Sequence, residues 1–468
     1  MAGQDMAMRQ SWLAIAGITL AGLVLRLLSA RGGLWLDEAW SARLAHDVGT
    51  PLGIFLNINH DNSHHLNSLW LQTVGLGAPS WLARLPAIVT GTLAVPVAAM
   101  IAAPRGRWPM IATAILFALS PILVTMGSEA RGYAPMALAF LTAILLVDRW
   151  LARSDAAYRP QIAIALCCFL GIFSQMTMLF GIVAMGGWVF FALWQRGGPK
   201  SAFTGSLSLF WPALLATLLA LAIIAGAAAA DPRGFQFGSY EPFDLKLFLH
   251  GIIEMFGYTI GWPVNSLWLL PLVGGAVIVA RSAGASRMAF YRLAILAFPA
   301  MLALLQSGNV GHPRYYLVAG IALLLMLGEM TGSAIASAGW RRVAGAGALI
   351  AMLVGAMVQN IELIRNRRAD PAIAIAVMQQ RAPGGTRVFL ERPTADAMVE
   401  VAAAQARYPV TLQHTPCPAA PFILADRYKG ERFPADITLC GGTYRPIAGR
   451  IATGMSGTHW RLYQRQGR

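Results

Sequence analysis

Apolar runs alternate with short polar segments along most of the chain, and the runs are too long for the core helices of a soluble domain. A hydrocarbon core about 30 Å thick is crossed by about 20 apolar residues in a helix. On that measure the pattern predicts eleven helices, near 12–30, 82–102, 109–127, 133–150, 161–173, 178–194, 206–230, 266–280, 288–306, 315–331 and 343–360. The run 161–173 is short for a span, and a break is expected at Ser174-Gln175-Met176-Thr177. The alternative, one long tilted helix across that point, lowers the count to ten and reverses the sidedness of everything downstream. After Asn360 the pattern changes: Glu362 to Arg368 is charged, and the rest is mixed in the manner of a soluble domain. Short strands are predicted at 387–390, 410–412, 422–424 and 460–463, with a helix at 395–406. The expected class is an all-α polytopic membrane domain over 1–360, followed by a small α/β domain over 361–468.

Charge supports this arrangement. Short cytoplasmic loops carry the excess of basic residues. With the N-terminus inside, Arg9, Arg105, Arg107, Arg149, Arg153, Arg159, Arg196, Lys200, Arg281, Arg287, Arg292, Arg341 and Arg342 fall on the inner side. The same topology puts all 8 histidines outside, together with Asp37, Glu38, Asp61, Glu129 and Glu254. The C-terminal domain is then periplasmic, and the first apolar run is a retained anchor because it lacks a small-residue cleavage site. Hydrophobic residues make up 57% of the chain and charged ones 12%, which excludes an ordinary soluble enzyme. The net charge of +15 reflects inner-loop arginines facing anionic lipid and a basic C-terminal segment, so nucleic acid is not implied. Cys167 and Cys168 lie in a predicted span. Cys417 and Cys440 lack metal-type spacing and read equally as one disulfide or two separate thiols.

Candidate chemistry gathers at three outer helix mouths. The first loop, Arg31 to Ser80, is far longer than a connection needs. It opens on Leu34-Trp35-Leu36-Asp37-Glu38-Ala39-Trp40, two adjacent carboxylates beside tryptophans at the membrane edge, where desolvation makes charge costly. It continues through His60-Asp61-Asn62-Ser63-His64-His65-Leu66-Asn67 into an amphipathic stretch from Leu66 to Leu76 suited to the membrane surface. The plain reading of that run is a solvated turn with a helix cap. The second mouth is Ser128-Glu129-Ala130-Arg131-Gly132-Tyr133, whose Glu-x-Arg is by itself most often a structural ion pair. The third, Gly308-Asn309-Val310-Gly311-His312-Pro313-Arg314-Tyr315-Tyr316, offers a guanidinium fork suited to phosphate, or else an interfacial aromatic anchor. The loop 231–265, with Phe235, Phe237, Tyr240, Phe243 and Trp262, reads as a cavity gate, a lipid seat or an ordinary interfacial helix.

The order of these motifs, with Ala83-Arg84-Leu85-Pro86 opening the second helix, resembles the GT-C glycosyltransferases over roughly residues 10 to 330. The resemblance is closest to the bacterial branch related to dolichyl-phosphate-mannose protein mannosyltransferases and the lipid A aminoarabinose transferase. The chain departs from that pattern at Ser63-His64-His65, where the family often has His-Pro-Pro, and in having no lysine in the first loop. The resemblance implies transfer of a sugar, hexosyl or pentosyl, from a polyprenyl-phosphate donor to a hydroxyl on a lipid or glycan acceptor at the outer face of the bacterial inner membrane. It implies Asp37 as general base with inversion, Glu38 orienting it or the acceptor, and Glu129 binding sugar hydroxyls or a cation. Donor phosphate would fall to Arg131, Arg314 and His312, with Arg84 behind them. His60, Asp61, His64, His65, Asn67, Tyr133 and Tyr315 would contact substrate. No cofactor is obligatory, and a divalent cation bridging Asp37, Glu129 and His60 or His64 stays open. A carrier for a lipid-linked sugar and a non-catalytic membrane scaffold are the rival readings. The absence of an evident internal repeat and the acids gathered on one face weigh against the carrier.

Overall fold

The computed structural model describes residues 2–153, 158–236, 240–262 and 285–467. Among them seven helices are long and apolar enough to cross a membrane, and two shorter apolar helices, Arg107–Leu119 and Gln161–Ser174, accompany them. The protein is an integral membrane protein. Ten of the eleven expected apolar segments lie on helices; the other, 266–280, and Phe237 lie outside the described residues.

The membrane helices begin with α1 (Ala2–Ser29). The long outer loop then folds into four short helices: α2 (Leu36–Asp47), α3 (Pro51–Leu56), α4 (His65–Val74) and α5 (Ser80–Ala83). Helix α2 starts where Glu38 reaches back to the Trp35 N–H at 3.1 Å, and α3 where the Thr50 hydroxyl accepts from Gly53 N ahead of Pro51. The amphipathic stretch expected at 66–76 is α4, which buries His65, Asn67, Ser68 and Leu71. Next come α6 (Leu85–Ala102), α7 (Arg107–Leu119), α8 (Pro121–Met126), α9 (Tyr133–Ala152), α10 (Gln161–Ser174) and α11 (Met178–Ala230). The break expected at 174–177 is present, with Gln175 extended between α10 and α11. The 53 residues of α11 are two helices joined at Gly197 and Gly198, the latter at φ +78°, which a residue with a side chain rarely adopts. In the loop after α11, Gln236 pairs with the first loop, its N–H donating to Asn59 O and its carbonyl accepting from Asp61 N. Helix α12 (Leu245–Ile260) follows and is capped by Asp244.

The last part of the bundle comprises α13 (Ala285–Tyr291), a π-turn, α14 (Phe298–Leu304), α15 (Leu317–Ala336) and α16 (Trp340–Asn366). Two arginines expected to face lipid pair instead with a buried carboxylate, Arg287 from a buried position and Arg105 from an exposed one. Arg287 and Arg105 lie 3.2 and 3.1 Å from the buried Glu329, whose Oε2 also accepts from Tyr291. A carboxylate this deep needs compensating charge, and the nearest cations supply it.

Helix α16 runs past the boundary expected at 360, and the chain turns at Arg367, Arg368 and Ala369, all with positive φ. The C-terminal domain holds α17 (Ala372–Arg381), α18 (Asp396–Ala406) and a six-stranded mixed sheet: β1 (Thr386–Leu390), β2 (Val410–Gln413), β3 (Phe422–Arg427), β4 (Ile437–Leu439), β5 (Gly442–Arg450) and β6 (His459–Arg465). The order is β2-β1-β3-β6-β5-β4, with β1 parallel to both its neighbours and the remaining pairs antiparallel. One face of the central strands, through Phe422, Leu424, Trp460 and Leu462, shares a core with Leu34, Ala39, Ala42 and Ala45 of the first loop. The domain therefore sits on the helix that carries the acidic pair.

Cys417 and Cys440 form a disulfide with their Cα atoms 5.7 Å apart, across a separation of 23 residues. Replacing both with serine is expected to lower stability by about 3 kcal/mol, from the lost restriction of the unfolded chain. Urea unfolding of the full-length protein followed by tryptophan fluorescence measures this, and an unchanged midpoint would count against a stabilising role.

Candidate active site

Helix geometry separates the two adjacent carboxylates, because neighbouring residues point about 100° apart around an axis of 3.6 residues per turn. Glu38 faces inward. Its Oε1 accepts from Arg84 Nε at 2.8 Å and Ala130 N at 2.6 Å, and its Oε2 from Arg84 Nη2 at 2.6 Å and Trp35 N at 3.1 Å. Burial pushes its carboxyl up, but Arg84, Arg368 and the Ala130 N–H together outweigh burial and hold it below the usual carboxylate range. Arg84 spends its remaining donors on the carbonyls of Ala30, Gly32 and Gly33, so all five N–H groups are used and none is left for a phosphate. Both side chains are 0% exposed. Arg84 is thus not placed to bind donor, and Glu38 is not placed to touch substrate. The pair ties α2 to the start of α6 and to the loop after α8.

Asp37 faces the mouth and keeps 21% of its side-chain surface open. Its Oδ2 accepts from Arg131 Nη1 and from Arg314 Nη1, the latter at 2.7 Å. Burial would raise its carboxyl, but Arg131, Arg314 and His312 outweigh that effect and hold it below the usual range. Trp35 lies beneath both guanidinium groups, with its ring centre 5.9 Å from Arg131 and 6.0 Å from Arg314. Arg314 Nε is buried and has no hydrogen-bond partner among the described residues.

Arg131 is held from three sides. Its Nη2 donates to Asn62 Oδ1 at 2.7 Å and its Nε to His64 Nε2 at 3.1 Å. Accepting there leaves His64 to donate from Nδ1 to Ser174 O at 2.9 Å, which fixes the neutral tautomer. Burial, reinforced by Arg131, lowers the His64 imidazole well below its ordinary value. Asn62 also donates to Asp37 O at 2.8 Å, locking the polar run of the first loop onto α2. Gly132 is required where it stands, since a Cβ there would lie 1.8 Å from Ser174 O.

The other candidates divide. His312 stacks edge-on against Tyr315 at 5.8 Å, and burial lowers its imidazole to about 4. Tyr315 lies 5.7 Å below Arg314. Tyr133 is buried against Arg131 and the His64 ring, and its hydroxyl has no partner among the described residues. His60 and Asp61 pair at 2.8 Å and stay partly exposed. Three further candidates are placed differently from expectation. Glu129 is fully buried against Arg368 at 3.2 Å, with its carboxyl pushed up by burial, and does not reach the mouth. His65 packs between Phe55 and Phe173, and burial lowers it to about 4. Asn67 is buried and donates to Ala130 O. Among the described residues no three metal-ligating groups gather, and the arginines rather than one another neutralise Asp37 and Glu129. Sequence reasoning missed Asn62 and Arg368, and it missed Thr458 of the C-terminal domain, which accepts from Leu36 N at 3.3 Å.

A membrane helical bundle, an outer loop folded into short surface helices and a C-terminal α/β domain seated on that loop make a fold that this chain shares with solved membrane proteins. One protein of similar fold is ArnT from Cupriavidus metallidurans. Its apo structure has a TM-score of 0.55 at 15% identity, covering 86% of this chain and 86% of ArnT. The ArnT structure bound to undecaprenyl phosphate gives 0.53 at 12% identity, covering 97% of this chain and 98% of ArnT. Family models and curated proteins give no match to the sequence.

Proposed function

We propose that this protein is a glycosyltransferase moving a sugar from a polyprenyl-phosphate carrier to an acceptor hydroxyl on a lipid or glycan. The reaction takes place at the periplasmic face of a bacterial inner membrane, with the N-terminus cytoplasmic and the C-terminal domain periplasmic. The observation that carries this reading is the convergence of Arg131 and Arg314 on one partly open oxygen of Asp37. The ArnT likeness supports it, since that protein binds undecaprenyl phosphate in the same fold.

The chemistry follows from the groups present. The donor phosphate takes the guanidinium forks of Arg131 and Arg314, with neutral His312 as a further donor. That exchange releases Asp37 from its ion pairs and leaves its carboxylate at the mouth as a base. The acceptor oxygen attacks the anomeric carbon from the face opposite the phosphate. The acceptor O–H proton passes to Asp37, the bond from sugar carbon to phosphate oxygen breaks, and the electron pair leaves with the phosphate. The anomeric centre inverts. Developing charge on the phosphate is stabilised by cations already fixed in place, by Asn62 and His64 for Arg131 and by Trp35 for both. His60, Asp61 and Tyr315 border this mouth and are proposed to contact the sugar or the acceptor. No obligatory cofactor enters. Participation by a divalent cation is tested by chelation followed by metal re-addition.

The test is incubation of the purified protein in lipid with radiolabelled polyprenyl-phosphate sugars and membrane extract. Label should move to an acceptor, whose identity then names the substrate. Label that stays on the carrier across a panel containing the right donor would favour the carrier or scaffold readings. Arg131→Gln and Arg314→Gln should each lower kcat/KM for the donor by about 10- to 100-fold, the value of a hydrogen bond to a charged group.

A further inference from the structure

Where the end of α16 meets the C-terminal domain lie two adjoining cavities of about 830 and 490 Å³ that share Val358, Glu362 and Thr453. The larger is rimmed by Arg365, Arg367 and Arg450. Arg367 stands 3.9 Å from Asp370, a carboxylate that also accepts from Gly33 N at 2.8 Å. Arg365 and Arg450 are exposed and have no ion-pair partner among the described residues. The smaller cavity runs between α12 and α16, walled by Tyr258, Gly261, Gly355 and Leu363. Val358, which lines both cavities, Ile361, which lines the larger, and Val354 form an exposed apolar strip on a helix long enough to span the membrane.

Three residues that line the smaller cavity each carry a buried acceptor without a partner among the described residues: Gln359 Oε1, Asn360 Oδ1 and Thr453 Oγ1. The orientation of both amides is set by their nitrogens. Asn360 Nδ2 donates to Leu119 O at 2.8 Å and Gln359 Nε2 to Trp262 O at 2.9 Å, which leaves each oxygen needing a donor. A ligand that answers all of these features has an anionic group for the arginines, hydroxyls for the orphan oxygens and an apolar chain for the groove.

We propose that this groove is a second lipid site, for a membrane lipid whose anionic phosphate head carries free hydroxyls. It lies on other residues than Asp37, Arg131 and Arg314 and does not depend on the transferase reading. A lipid fits better than a soluble phosphate because the basic rim continues into a groove on the lipid-facing side of a spanning helix.

Native mass spectrometry of the full-length protein in detergent, titrated with phosphatidylglycerol, tests the proposal. Phosphatidylethanolamine and inorganic phosphate serve as comparison probes. Wild type should retain phosphatidylglycerol in preference to phosphatidylethanolamine, and phosphate alone should not displace it. Arg365→Gln/Arg450→Gln should weaken retention by about 10-fold or more, since two charge-assisted contacts are lost. Val358→Trp fills the groove from an exposed position without touching the arginines, and it should reduce retention with the fold intact. Equal retention of both lipids, or retention unchanged in both variants, would overturn the site and leave the arginines as ordinary interfacial anchors. Displacement of the lipid by millimolar phosphate would overturn it as well, in favour of a phosphate pocket.

Discussion

Asp37→Asn is expected to lower the transfer rate by about 10²- to 10⁴-fold, the usual contribution of a positioned base. The amide keeps the size and two-fold shape of the carboxylate, so the variant should fold. It cannot accept the proton of the attacking hydroxyl. It also removes the charge that holds Arg131 and Arg314 before donor arrives. Donor binding should then be unchanged or tighter, and the loss should appear in kcat with no rise in KM. A pH profile adds a second readout. The neighbouring arginines hold the Asp37 carboxyl below the usual carboxylate range, so the basic form predominates above that range and is lost only as pH falls through the depressed value. His312, lowered to about 4, and His64, lowered well below its ordinary value, are neutral over the same interval. kcat/KM should therefore be flat from about pH 5 upward. A limb near pH 6–7, or full activity in the asparagine variant, would move the base to another residue.

Much of this frame is legible in the sequence because membrane insertion imposes a coarse rule, and apolar runs about 20 residues long obey it whatever their neighbours do. The break at 174–177 shows because Ser174 and Gln175 interrupt such a run. Roles within motifs are harder to read. Asp37 and Glu38 are equivalent on paper, and a single step of about 100° around the helix sends the first to the mouth and the second to Arg84. Glu129 and Arg131, two residues apart, also part company: Arg131 joins Asp37 while Glu129 is drawn under the loop by Arg368. His64 and His65 divide in the same way, into an arginine support and an aromatic filler. Strands β4 and β5 escape the apolar pattern because β5 carries Arg445, Pro446 and Gly449 on a largely exposed ribbon. Arg368 escapes for a different reason. It stands in a charged run, Glu362 to Arg368, that marks only the change to a soluble pattern, and tertiary contact alone identifies it as buried.

Arg368→Met is expected to cost about 3–5 kcal/mol of stability, the range for breaking a buried ion pair from one side. The side chain is fully buried where the C-terminal domain meets the bundle. Its Nε donates to Glu129, its Nη1 to Ser29 O at 2.8 Å, and its Nη2 to Thr125 O at 3.2 Å and Ser128 Oγ at 2.8 Å. Its removal takes the countercharge from Glu129 and the donor from Ser29 O in a region that excludes water, while Thr125 O keeps the Ser128 N–H. Burial already pushes the Glu129 carboxyl up, so without Arg368 it would take a proton, which places the cost toward the lower end. The same loop presents Ala130 N to Glu38 and Arg131 to Asp37, so the loss should also reach the site and lower kcat. The double variant Arg368→Met/Glu129→Met separates the two effects. Apolar replacement of both partners should recover most of the stability, because an apolar pair of similar volume often matches a buried ion pair. Unfolding midpoints in urea for the four proteins of this cycle give the coupling directly. A single variant as stable as wild type, or a double variant no better than the single, would show that Arg368 and Glu129 are not energetically coupled. If they are coupled, the C-terminal domain braces the active-site loop through one guanidinium group.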